Sequence, residues 1–67
     1  MYREDFIKML INGHFMKTIN GQNIYFCAYG MFCVYDGTTQ RYVNPNDISM
    51  QKDYISLTKN EFLNLLN

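Results

Sequence analysis

The chain has 67 residues, 48% of them hydrophobic, with six Tyr, five Phe and no Trp, and its six basic residues balance its six acidic ones. That length supports a single domain over residues 1–67 with a marginal core, because a domain of this size buries only about 60% of the surface its unfolded chain exposes. The scattered, balanced charge excludes a basic stripe for nucleic acid and an acidic face that mimics it, and gives little protection against self-association.

Tyr2, Phe6, Met9, Leu10 and Gly13 recur at spacings of three and four, with Ile7 and Ile11 widening the stripe. This predicts an amphipathic helix over residues 2–12. Glu4 and Asp5 suit its positive end, and Gly13 is placed as a left-handed stop.

After Gly13 the period changes to two. His14 to Ile19, Asn23 to Ala28, Met31 to Tyr35 and Thr38 to Val43 are rich in aromatic and β-branched residues, and turn residues bound them. Asn20-Gly21 and Asp36-Gly37 are dipeptides that favour type I′ hairpin turns. Tyr29-Gly30 reads as either a turn or a bulge in one long bent strand from Ile24 to Tyr35. With two-residue loops throughout, Phe15 opposes Phe26, Phe26 opposes Cys33, Ala28 opposes Met31, and Tyr35 opposes Thr38. One face then holds Phe15, Ile24, Phe26, Met31, Cys33 and Tyr35, and is expected to receive the N-terminal helix. The other still holds Met16, Tyr25, Cys27, Phe32 and Val34, a large apolar area to leave wet.

Asn44-Pro45-Asn46-Asp47 breaks the sheet, with Pro45 at the first central position of a type I turn. In the ambiguous stretch Ile48 to Leu57, Tyr54 to Leu57 is the most strand-like part. Thr58 followed by Glu61 forms a capping box, and Leu57 with Phe62 a hydrophobic staple, so a short helix runs from Lys59 to Leu66. It is too short to persist alone and must dock. The expected fold is α+β: an antiparallel sheet of four or five strands, with hairpins at Asn20-Gly21 and Asp36-Gly37, flanked by an N-terminal and a short C-terminal helix.

Catalytic chemistry is poorly represented. His14 is the single histidine and has no evident carboxylate partner. Cys27 and Cys33 lie in apolar strand sequence, where a thiol is usually inert, and a cysteine nucleophile is the weakest functional reading. Five residues separate them, and with His14 they supply three soft ligands where a structural zinc site needs four, so no metal or cofactor is expected. In the register above they face opposite sides, which argues against a disulfide between them. The carboxylates are consumed by a turn, a cap and a helix start. Charged residues at positions 3–5 interrupt any leader, and no apolar run approaches the roughly 20 residues of a membrane span. A cytoplasmic, membrane-free protein with reduced thiols is expected.

The remaining signal is aromatic. Tyr supplies large, rigid, partly polar contact area at little entropic cost. Tyr25, Tyr29, Phe32, Val34 and Arg41 are therefore the candidate binding residues, drawn mostly from the second face. The expected function is a non-enzymatic module that binds a larger protein, as an inhibitor or accessory factor of a phage or other mobile element acting in its host's cytoplasm. The second face also makes a homodimer an expected assembly. An alternative is a single-stranded nucleic-acid binder that stacks bases on sheet aromatics, which Lys17 and Arg41 alone support poorly.

Overall fold

The computed structural model describes all 67 residues. Helix α1 (Arg3–Ile11) leads into strands β1 (Phe15–Thr18), β2 (Ile24–Ala28), β3 (Met31–Tyr35) and β4 (Gln40–Tyr42). A 3₁₀ turn (Pro45–Asp47), strand β5 (Tyr54–Leu57) and helix α2 (Lys59–Leu66) follow. The fold is α+β, a five-stranded antiparallel sheet of order β4-β3-β2-β1-β5 with one helix on each face.

α1 ends as its sequence predicts. Gly13 takes φ 93°, its amide donates to the Leu10 carbonyl, and the amide of His14 donates to that of Met9. This paired closure satisfies carbonyls that the helix end would otherwise orphan. α2 carries the full capping box: Thr58 Oγ1 accepts from the Glu61 amide at 3.1 Å, and Glu61 Oε1 accepts from the Thr58 amide at 2.9 Å. Leu57 and Phe62, the staple pair, are both buried.

The turns differ from expectation in an instructive way. The tight type I′ turn is Tyr29-Gly30, where both residues take positive φ (54° and 73°), so residues 24–35 form a hairpin. Neither Asn20 nor Gly21 takes positive φ. Their hairpin is instead a wider loop, held where Lys17 Nζ donates to the carbonyls of Thr18 and Gly21. At the third turn the carboxylate of Asp36 accepts from the amides of Thr38 and Thr39, both at 2.9 Å. That recentres the hairpin, so Tyr35 opposes Gln40 in place of Thr38. A slip of two residues preserves which face each side chain occupies, because the strand period is two. The other expected pairings, Phe26 with Cys33 and Ala28 with Met31, are present.

α1 lies on the opposite face of the sheet from the one expected. α1 packs on the face of Met16, Tyr25, Cys27 and Phe32, burying Phe6 and Leu10 completely, and Ile48 from the β4–β5 link joins them. The face of Phe15, Ile24, Phe26 and Cys33 receives α2, which inserts Phe62. Both faces are apolar, so alternation alone could not assign a helix to either. Aromatic contacts line both observed interfaces. Phe6 meets Tyr54 and Tyr25 edge-on, at centroid distances of 4.9 and 6.1 Å. Phe62 stacks on Phe15 at 4.6 Å and tilts against Phe26 at 5.4 Å. Both arrangements are favourable aromatic geometries.

Arg3 ties the first core together. Its guanidinium donates to the carbonyls of both Pro45 and Ile48, pinning the link that buries Ile48 across the end of α1.

Candidate functional site

The residues singled out from the sequence do not form one surface. Val34 is 1% exposed, and Tyr25 and Phe32 are half-buried against the Phe6-Leu10 core. Val34 is closed to a partner, and Tyr25 and Phe32 offer only the part of each ring that the core leaves exposed. The apolar second face is thus part of the core, and the burial it needed is supplied within the chain. Tyr54, which the sequence marks only as the start of a strand, packs against the same cluster, and its hydroxyl donates to the Ser49 carbonyl at 2.7 Å. Burial, with a smaller contribution from Tyr25, pushes the Tyr54 phenol above its ordinary range.

Tyr29 stands apart from the other four. It caps the β2–β3 hairpin, takes φ 54°, and its side chain is fully exposed (103%). A left-handed backbone costs an L-residue roughly 1–2 kcal/mol, and glycine or asparagine is the usual occupant of that position. Tyr29 therefore carries a backbone cost that no buried contact of its own offsets.

Exposed apolar side chains occur at both ends of α1, at Tyr2 and Ile11, and at several positions on the α2 face. Met31 follows the hairpin tip, and Tyr42 opposes Cys33 on β4, which makes Tyr42 a diagonal neighbour of Met31 on one side of the sheet. Ile55 lies on the same face, paired with Lys17 on β1. On α2, Leu63, Leu65 and Leu66 are all exposed, Leu65 at 55%. Leu65 overhangs a groove of about 310 Å³ formed with Ile24, Tyr35 and Lys17. A second cleft, about 290 Å³ and lined by no hydrophobic residue, lies between the β1–β2 loop and residues 51–53.

Arg41 lies on β4 and its Nη1 is 3.3 Å from the carboxylate of Asp36. The amides of Thr39 and Thr38, with Arg41 beside them, hold the Asp36 carboxyl below its ordinary value. Since Lys17 is tied to two carbonyls, both cations of the sheet are engaged inside the chain. That weakens the case for an open phosphate-binding groove.

Cys27 and Cys33 are free thiols on opposite faces, as the register predicts, and Cys33 is buried. One polar pair escaped the sequence reading: His14 Nδ1 lies 2.8 Å from Ser56 Oγ. The signal would have been the pairing of β1 with β5, which brings the residue before β1 beside Ser56. Activating a serine needs a base that is itself oriented by a third group, and the other ring nitrogen of His14 makes no hydrogen bond within the chain. The contact is an exposed tie between two strands. No three His, Cys, Asp or Glu side chains converge on a common point, and no helix is long and apolar enough to cross a membrane.

Comparison of the chain with protein-family models, with curated protein sequences and with solved structures returns no match.

Proposed function

We propose that this chain is a non-enzymatic protein-binding module that acts by occupying a surface of a larger protein, with Tyr29, Met31 and Tyr42 making the contact. The observation that carries this reading is Tyr29, a fully exposed aromatic ring held on a left-handed backbone at a hairpin tip. Strain of this kind persists where the surroundings over-determine it, and it clusters at functional positions. Tyr and Met are also enriched in the buried centres of protein interfaces. The site differs from the one expected from sequence: it keeps Tyr29 and replaces Tyr25, Phe32 and Val34 with residues of the opposite face. An inhibitor or accessory factor encoded by a mobile element and acting in its host's cytoplasm fits a small chain without an assembled catalytic group.

The test is affinity capture from nuclease-treated lysate of a candidate host, using tagged wild type, Tyr29→Asn and Tyr42→Ala, with equilibrium unfolding measured in parallel. Asn tolerates the left-handed conformation, so Tyr29→Asn should fold at least as well as wild type and yet lose the captured protein. Equal recovery by both variants would contradict the reading. Capture that disappears on nuclease treatment would favour the single-stranded nucleic-acid alternative.

A further inference from the structure

The two free edges of the sheet differ in what they would bring together if two copies of the chain met edge to edge. At the β5 edge, the Ile19 amide donates to the Asp53 carbonyl, which fixes the alternation of the ladder: backbone groups of residues 53, 55 and 57 point toward β1, and those of Tyr54 and Ser56 point outward. No turn, cap or side-chain hydrogen bond within the chain reaches those outward groups. Between them stands Ile55, 43% exposed, on the α2 face. At the β4 edge, the Val43 amide donates to the Phe32 carbonyl, so Gln40 and Tyr42 point outward with Arg41 between them.

The geometry points to a symmetric homodimer formed by antiparallel pairing of β5 with β5 of a second copy, with Ile55 on the two-fold axis. In that register Tyr54 of each copy exchanges both backbone hydrogen bonds with Ser56 of the other, and Ile55 meets its own counterpart in the non-hydrogen-bonded position, where side chains approach most closely. The edge is self-complementary, as a two-fold interface requires. The β4 edge is not, because the same operation would set Arg41 against its own counterpart, and like charges directly opposite are destabilising. Natural sheets protect free edges with charge, proline or shortness. β4 is three residues long, carries Arg41 and is soon followed by Pro45, whereas β5 has four residues and neither charge nor proline within it. The chain's zero formal net charge adds no repulsion between copies. Pairing through β5 leaves Tyr29 and Tyr42 free, so the dimer stands or falls separately from the contact surface proposed above.

Sedimentation equilibrium of wild type, Ile55→Lys and Ser56→Pro over a wide concentration range tests this, with amide hydrogen exchange by NMR at the two ends of the range. Ile55→Lys sets two charges on the axis, and Ser56→Pro removes an outward N–H at an edge position, where proline is tolerated. The expected result is a monomer–dimer equilibrium for wild type, weakened about tenfold or more by either substitution, with far-ultraviolet circular dichroism unchanged. The amides of Tyr54 and Ser56 should gain protection as wild-type concentration rises, while that of Ile55, already bonded to β1, should not. A wild type that stays monomeric throughout, a dimer that survives both substitutions, growth into larger species, or protection at Tyr54 and Ser56 independent of concentration would each overturn the proposal.

Discussion

The two faces of the sheet are closed to very different degrees. On the α1 face, Phe6 and Leu10 are fully buried, Ile48 joins them from the β4–β5 link, and Val43, Met50 and Tyr54 seal the margin. On the α2 face a single helical side chain, Phe62, enters the core, while all three leucines of α2 remain exposed. Helix length explains part of this. Eight residues make a helix of about 12 Å, and four inter-strand gaps of about 4.8 Å make a sheet roughly 19 Å across. α1 is barely longer, but the link pinned by Arg3 lies beside it and completes the cover. The difference teaches that the α1 face is sealed from several sides, whereas the α2 face is covered by one short helix and leaves apolar side chains exposed.

The sharpest break in that comparison is a matched pair of truncations. Phe6→Ala should cost about 3–5 kcal/mol, the range for a fully buried Phe, measured by denaturant unfolding. Phe62→Ala should cost less than Phe6→Ala, because Phe62 sits at the margin of burial under a helix with little else docked. Equal losses would mean that the two faces contribute alike. Next comes the clamp: Arg3→Met should cost about 1.5–3 kcal/mol, the scale of hydrogen bonds made by a charged donor, and should speed hydrogen exchange in the Pro45–Ile48 segment.

Two smaller effects sharpen the contrast between tip and core. Tyr29→Asn should raise stability by up to about 1 kcal/mol, since Asn suffers less in the left-handed region. A loss would show that the Tyr29 ring makes a contact that matters to folding. Tyr54→Phe should cost about 1 kcal/mol for the lost bond to Ser49. It should also change the alkaline limb. A phenol whose folded pKa is raised contributes stability that is fully present below the unfolded value near 10 and is lost as pH rises through the folded value. In Tyr54→Phe that part of the alkaline decline should be absent when unfolding is followed across this window.

Local signals were legible wherever one residue type has one conformational use. Gly13 as a helix stop, Thr58 with Glu61 as a capping box, and the opposed pairing of Phe26 with Cys33 all stand as their sequence predicts. Turn identity was less legible, because side-chain hydrogen bonds that a dipeptide rule ignores accompany the observed turns: Lys17 bridges the Asn20-Gly21 loop, and the Asp36 carboxylate accepts from the amides of Thr38 and Thr39 in its own turn. The placement of the helices was not legible, since both faces of the sheet alternate with apolar residues. The candidate site inherited that ambiguity. Tyr25, Phe32 and Val34 read as surplus apolar area because the sequence does not show that α1 packs on their face, and nothing in the sequence separates Tyr29, with its left-handed backbone, from the other candidates. Ile48 lay in a stretch without periodicity, and its burial depends on a guanidinium more than 40 positions away in the chain.

Native-state hydrogen exchange across the two helices tests the central contrast most directly. Segments that close a core exchange only through global unfolding, whereas loosely docked segments open locally at lower free energy. The amides of α1 should exchange with the free energy and denaturant dependence of global unfolding, and those of α2 through a smaller opening that leaves α1 and the sheet intact. If α2 amides are as protected as those of α1, with the same denaturant dependence, the α2 face is as much a part of the closed core as the α1 face.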